Sequence, residues 1–265
     1  MIRHNASSAD QFYVDNGNPN GIPVIFIHGF PFDSSTWTGQ ANALPSNFRP
    51  ILYDVRGHGQ SRAGTFPYSI EFLVDDLFGL IEGLELQQPV LCGLSMGGYI
   101  ALRAFEKWPA MFRGLILCDT RAEGDSNQAK INRAGAIKTI QTQGVKKYAE
   151  DCVNSLFWED NLSKSIPEAD YIKKIIESTD PEVLCASLMA LAARTDSTEM
   201  LADINIPTLI MVGEHDKLTP PIAAELMHEN IAGSELVIIK KAGHLSNIEN
   251  PEDFNEAMLR FLGNF

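Results

Sequence analysis

Serine 95 is the residue of this sequence whose setting most invites chemistry. It lies in Gly93-Leu94-Ser95-Met96-Gly97, after the apolar run Val90, Leu91 and Cys92 and before a helix-like pattern of Tyr99, Ile100, Leu102 and Ala104. Strand, sharp turn and helix make up the G-x-S-x-G arrangement, in which glycines leave room for a strained turn that lifts the hydroxyl above a sheet edge. Serine is a weak nucleophile at neutral pH, so this placement matters when a base takes its proton and donors stabilise an oxyanion. Without them, the pentapeptide is a tight turn with an incidental hydroxyl. His244, after the run Leu236-Val237-Ile238-Ile239, has a proton affinity suited to taking that proton and returning it to a leaving group. Asp216, after Leu209-Ile210-Met211-Val212, could orient the imidazole and stabilise its cation. Asp119 also follows an apolar run and is the rival acid, with a cap or turn role as its alternative.

These residues need elements to hold them. Residues 23–27, 50–53, 90–92, 113–118, 207–212 and 236–239 read as short apolar strands, several of them buried on both faces. Residues 69–86, 221–230 and 251–262 show helical spacing, the last with Phe254, Met258, Phe261 and Leu262 inward. Strands alternating with helices imply right-handed crossovers and a mainly parallel sheet, which does its chemistry at the carboxyl ends of its strands. Residues 11–15 followed by the turn cluster 16–21 predict an edge strand and hairpin. The strand rhythm stops near Thr120 and returns near residue 206. Between them lie helical stretches at 127–143, 145–158, 168–178 and 181–194, too long a block for a structureless loop. The expected organisation is therefore a core domain of residues 1–120 and 206–265 with a helical cap inserted at 121–205.

The segments HGFP, YDVRGHGQS, GLSMGG, GEHD and AGH occur in this order, and across nearly its whole length the sequence resembles the α/β-hydrolase fold family. The resemblance implies an α/β fold with a mostly parallel sheet flanked by helices, Ser95 as nucleophile, Asp216 as acid and His244 as base. It also implies an oxyanion hole from the backbone N–H groups of Phe30 and Met96; Pro31 has no N–H to offer. Asp216 is favoured over Asp119 by its place in Gly-Glu-His-Asp. His28 is expected to prop its loop, and Arg56 and His58 belong to a segment that is mainly structural in the family. His4, His215 and His228 read as surface or neighbouring loop residues. The elbow, with Leu94 before the serine, resembles the 3-oxoadipate enol-lactonase branch, and HGFP with GLSMGG also resembles cofactor-free perhydrolases.

The function expected is hydrolysis of a small ester or lactone (EC 3.1.1) through an acyl-enzyme, with no cofactor and no metal. The rivals are a carbon-carbon bond hydrolase or perhydrolase on the same three residues, and a slow-turnover small-molecule receptor. Phe30, Phe32, Trp37, Met96, Tyr99, Phe157, Trp158 and Met189 could line an apolar pocket between sheet and cap, or fill plain core. Arg121 and Arg194 could hold a substrate carboxylate bidentately, or tie the cap together.

Composition bounds these readings. The chain has 265 residues, long enough for one large domain, with 45% hydrophobic and 21% charged residues. A formal net charge of −13 argues against a nucleic-acid partner, whose binding is driven by Lys and Arg releasing counterions. It also disfavours long-range steering of anions. No apolar run approaches the roughly 20 residues of a membrane span, and the opening residues lack a signal core, so a cytoplasmic protein without a membrane partner is expected. Four cysteines without metal-ligand spacing read as reduced thiols. Both monomer and homodimer are compatible with the sequence.

Overall fold

The computed structural model describes residues 11–265 and the backbone of Arg3–His4. The remainder of residues 1–10, including the side chain of His4 and its expected surface position, lies outside the described residues.

The strands are β1 (Arg3–His4), β2 (Gln11–Asp15), β3 (Ile22–Ile27), β4 (Phe48–Tyr53), β5 (Val90–Leu94), β6 (Gly114–Cys118), β7 (Thr208–Gly213) and β8 (Glu235–Ile239). They form one sheet in the order β1-β2-β4-β3-β5-β6-β7-β8. All pairs from β4 to β8 are parallel, and β2 is antiparallel to both β1 and β4. The hairpin expected at residues 16–21 is absent: that turn connects β2 to β3, which are not neighbours. A turn cluster reports that the chain reverses, but not which strand it returns beside.

The side-chain period of two divides the central strands between two apolar layers. Ile25, Ile27, Leu91, Leu115, Leu117 and Ile210 face one layer, which they share with α2 (Ile70–Gly83), α3 (Met96–Lys107) and α9 (Pro221–Asn230). Val24, Phe26, Cys92, Ile116, Leu209 and Met211 face the other, which contains Phe254, Met258 and Phe261 of α11 (Pro251–Leu262). The short helices α1 (Thr38–Ala43) and α10 (Ser246–Glu249) complete the sheet's surroundings. Burying each of these side chains contributes about 1.5–3 kcal/mol, which is why the continuous apolar runs were legible as strands covered on both sides.

Between β6 and β7 come five α-helices, α4 (Asn127–Gln143), α5 (Val145–Leu156), α6 (Glu159–Ser163), α7 (Pro167–Ser178) and α8 (Pro181–Ala192), and a short 3-10 helix at Glu199–Asp203. Helix α4 packs on α5 and α8, and α5 packs on α7. Ile140, Tyr148, Leu156, Ile172, Ile176 and Leu184 from this block join the same apolar layer as Val24 and Phe26. The block is thus continuous with the sheet's own core. No helix among the described residues is long and apolar enough to cross a membrane. The four cysteines form no disulfide.

Candidate active site

The turn between β5 and α3 brings Ser95 to the end of a central strand. Ser95 has φ 52° and ψ −111°, a conformation that L side chains rarely adopt. The surrounding glycines make it possible: a Cβ on Gly93 would lie 2.4 Å from the Gly97 carbonyl oxygen, and one on Gly97 would lie 2.1 Å from that of Ile27. The Ser95 N–H donates to the Cys118 carbonyl at 2.9 Å, and Thr120 Oγ1 donates to the Ser95 carbonyl at 2.8 Å. The backbone beneath the hydroxyl is therefore fixed from the neighbouring strand end.

His244 and Asp216 meet at the same place. Ser95 Oγ lies 2.9 Å from His244 Nε2, and His244 Nδ1 lies 2.8 Å from Asp216 Oδ2. Asp216 Oδ1 accepts from the N–H groups of Leu218 and Thr219 at 2.8 and 2.9 Å, and Oδ2 accepts from Thr219 Oγ1 at 2.6 Å. Burial acts to raise the Asp216 carboxyl, but the charge of His244 and hydrogen bonds from His244 and Thr219 outweigh it, leaving the carboxyl below its ordinary value. For His244 burial acts downward, while Asp216 as charge and hydrogen-bond partner lifts the imidazole above its ordinary 6.5. The arrangement can take a proton from the hydroxyl at Nε2 while Nδ1–H stays on the carboxylate.

Asp119 is close to this group without joining the chain of hydrogen bonds. Its Oδ1 accepts from the Gly213 N–H at 2.8 Å, and its Oδ2 accepts from Ser246 Oγ at 2.5 Å. It braces the ends of β6 and β7 to α10. Burial, and then the nearby Asp216 charge, push its carboxyl up to about 8, so it is mostly neutral at pH 7.

The loop after β3 faces the serine. A Cβ on Gly29 would lie 3.2 Å from Ser95 Cβ. Among the described residues, the N–H groups of Phe30 and Met96 have no intramolecular acceptor, and both residues line the cavity that contains Ser95. His28 is buried and bonded on both nitrogens: Nδ1 to the Gly29 carbonyl at 2.9 Å, and Nε2 accepting from the Val55 N–H at 2.8 Å. His58, also buried, lies 5.4 Å from it ring to ring, and Phe30 packs edge-on against His58. Arg56 pairs with Asp76 on α2, Nη2 to Oδ1 at 2.5 Å, and fastens the following loop to the core.

Burial pushes both His28 and His58 down to about 4. An unfolded histidine takes up its proton near 6.5, so between these values the unfolded chain holds more protons and stability rises with pH. Acidification is expected to lower the unfolding free energy from about pH 6.5 downward, approaching roughly 3 kcal/mol for each ring at the folded value. Urea unfolding across this window checks the prediction, and a profile flat down to the carboxylate range contradicts it.

A cavity of about 440 Å³ opens above Ser95 and His244, lined by residues of α3, α4, α5 and α8 and the loop after β7. Tyr148, Cys152, Ser155 and Leu156 supply one wall, and Leu188 and Leu191 another. Of the predicted lining residues, Phe30, Met96, Tyr99 and Arg121 are present. Phe32, Trp37, Phe157, Trp158 and Met189 are not, which corrects that part of the sequence reading. Phe32, Trp37 and Phe157 are core, Trp37 packing 5.2 Å from Phe26 and 6.0 Å from Phe254 ring to ring. Trp158 instead stacks on His215 with centroids 4.5 Å apart. Met189 is 60% exposed, because α8 turns the neighbouring Leu188 and Leu191 inward. The wall on α5 was missed although its residues recur at helical spacing, since that pattern alone does not distinguish a core face from a cavity face.

A parallel sheet with a serine on a strained turn, a histidine and an aspartate at successive strand ends defines an α/β hydrolase. A family profile for the alpha/beta hydrolase fold matches residues 22–251, and the chain belongs to that family. It is 28% identical to 3-oxoadipate enol-lactonase 2 of Acinetobacter baylyi, over 93% of this chain and 90% of that protein. A thermophilic esterase from Thermogutta terrifontis, solved with malate bound, is 37% identical with a TM-score of 0.91, covering 97% of this chain and 94% of that one. The enol-lactonase of Burkholderia xenovorans LB400 superposes with a TM-score of 0.92 at 28% identity, covering 99% of this chain and all of that one. The protein is a hydrolase of this family.

Proposed function

We propose that the protein hydrolyses small carboxylic esters or lactones, with Ser95 as nucleophile, His244 as base and Asp216 as the acid that orients it. The observation that carries the proposal is the unbroken hydrogen-bonded run from Ser95 Oγ through His244 to Asp216, at 2.9 and 2.8 Å, beneath a cavity. Ser95 Oγ forms a bond to the carbonyl carbon while its proton passes to His244 Nε2. The resulting oxyanion is held by the N–H groups of Phe30 and Met96, each such donor being worth about 3 kcal/mol to the transition state. The carbon–oxygen bond to the alcohol breaks as His244 returns the proton to that oxygen. Water, deprotonated by the same imidazole, then releases the acid and restores the serine. In a lactone, acid and alcohol leave as one hydroxy or oxo acid. Residues 121–205 act as a cap whose α4, α5 and α8 shape the acyl pocket.

A fluorophosphonate probe is expected to add a single adduct at Ser95, read by peptide mass spectrometry. Labelling at another residue, or none under conditions that label a known serine esterase, overturns the assignment.

The base function requires neutral His244, and the imidazole is raised above 6.5. The logarithm of kcat/KM for a neutral ester is therefore expected to climb with pH through a midpoint above 6.5 and to fall away on the acid side. A midpoint below 6.5 would contradict the stated coupling to Asp216.

A further inference from the structure

His244 can take a proton from Ser95 only if its ring is held at one place above the serine, yet the loop that carries it, residues 240–245, belongs to no helix or strand. Two close approaches of backbone fix that loop. On the sheet side, a Cβ on Gly213 would lie 2.0 Å from the Gly243 carbonyl oxygen, and the His215 N–H donates to the Ala242 carbonyl at 2.8 Å. On the α5 side, a Cβ on Gly243 would lie 2.8 Å from both the Leu156 carbonyl oxygen and the Trp158 nitrogen, and the His244 N–H donates to the Leu156 carbonyl at 2.7 Å. The first contact is made with the strand end that delivers Asp216. The second is made with the wall of the cavity, to which Leu156 belongs.

One side chain closes the second contact. Glu249, the last residue of α10, accepts from the Gly243 N–H at 2.7 Å through one oxygen, and through the other from the Trp158 N–H at 2.9 Å and Asn161 Nδ2 at 2.8 Å. Neither N–H has another acceptor among the described residues. All three partners are donors, so the position calls for a group with an acceptor on each branch and a donor on neither, which is an ionised carboxylate. Arg133 of α4 and Arg194, just beyond α8, both pair with Asp125 and hold the wall helices to one another. Glu249, with the bond from His244 to Leu156, holds that wall to the base. We infer that Glu249 is a positioning residue for the proposed reaction: it registers His244 to the α5 wall and so sets the reach of Nε2 to Ser95 Oγ. The inference rests on the reading of His244 as the base.

Glu249→Gln tests it, because the amide keeps the size of the side chain but offers an acceptor on one branch only. Its nitrogen must then face either the Gly243 N–H or the Trp158 and Asn161 donors. With 4-nitrophenyl acetate, kcat per serine titrated by a fluorophosphonate is expected to fall by about tenfold to a hundredfold, the cost of roughly 1 Å of misplacement. KM should change by less than about threefold, since no contact with substrate is removed. The midpoint of the rise in log kcat/KM with pH should move down toward 6.5, because a displaced ring loses part of the lift it takes from Asp216. Glu249→Asp, one methylene shorter but with both acceptors, should lose less in kcat, and it carries the test alone if the glutamine variant does not fold. Ile81→Val, in the apolar layer on the other face of the sheet, supplies a loss of stability without a change in this loop, and its kcat per serine should equal that of the unaltered protein. If the Glu249 variants unfold at a lower temperature but keep both kcat per serine and the midpoint, the residue is structural alone and the inference is overturned, with the hydrolase reading intact. An unaltered protein that neither turns over the ester nor takes the label overturns that reading, and this inference with it.

Discussion

Replacing Ser95 by alanine is expected to lower kcat for 4-nitrophenyl acetate by about a million-fold, the loss seen when the nucleophile of a comparable triad is removed. The size follows from the geometry. His244 Nε2 lies 2.9 Å from Ser95 Oγ, and in the proposed mechanism the Phe30 and Met96 N–H groups receive the oxyanion formed when that oxygen attacks. With Oγ gone, these donors can still polarise a carbonyl for water, which leaves a residual rate of about 10³–10⁴ over the uncatalysed one. The fold should tolerate the change, since the positive φ of Ser95 belongs to the backbone and is held by the Ser95 N–H donating to the Cys118 carbonyl and by Thr120 Oγ1 donating to the Ser95 carbonyl, neither of which involves Oγ. Thermal unfolding in parallel separates lost chemistry from lost structure. Equal rates for the two proteins would defeat the enzyme reading and favour a receptor.

The second large effect distinguishes the two buried acids. Asp216→Asn should cost about 10⁴ in kcat, because an amide nitrogen facing His244 Nδ1 favours the wrong tautomer and cannot stabilise the imidazolium. Asp119→Asn should cost no more than about tenfold. The Asp119 carboxyl is pushed up to about 8, so an uncharged amide resembles its state at pH 7. Its oxygens serve Gly213 and Ser246 and do not bond His244. An asparagine can keep the acceptor toward the Gly213 N–H and offer a donor to Ser246 Oγ. The comparison is made with steady-state kinetics at pH 7 and again at pH 9. If Asp119→Asn proved the more damaging, the acid would have been assigned to the wrong strand.

Much of this was legible in the sequence because it depends on local patterns. Runs such as Val24-Ile25-Phe26-Ile27 can be buried on both faces only in a covered sheet, and the 93–97 turn needs its glycines where they stand. The limits of the inserted helices α4 and α8 were close to their apolar and capping patterns, Ser126 and Asp180 each capping the helix that follows. What was hidden depends on distance across the fold. Phe32 and Trp37 come soon after the loop that ends β3, yet their size favours full burial, Trp37 beside Phe26 and Phe254. Tyr148, Cys152 and Ser155 have an ordinary amphipathic spacing, and only the approach of α5 to Ser95 makes them a wall. Thr219, Ser246 and Arg133 carried no local signal, since hydroxyls and arginines are common on any surface.

Glu249 joins parts of the chain that the order of elements keeps far apart. One of its oxygens accepts from the Gly243 N–H at 2.7 Å, and the other accepts from the Trp158 N–H and from Asn161 Nδ2 at 2.9 and 2.8 Å. Beside it, the His244 N–H donates to the Leu156 carbonyl at 2.7 Å. The imidazole's loop is therefore tethered to the C-terminal end of α5 and the start of α6. Swapping the inserted helices for those of a relative, a natural route to new specificity, would cut these tethers unless residues 156–161 stayed behind. Descent could change the cavity-facing residues of α4 and α8 while keeping their core-facing ones, and this short segment travels with the histidine it anchors.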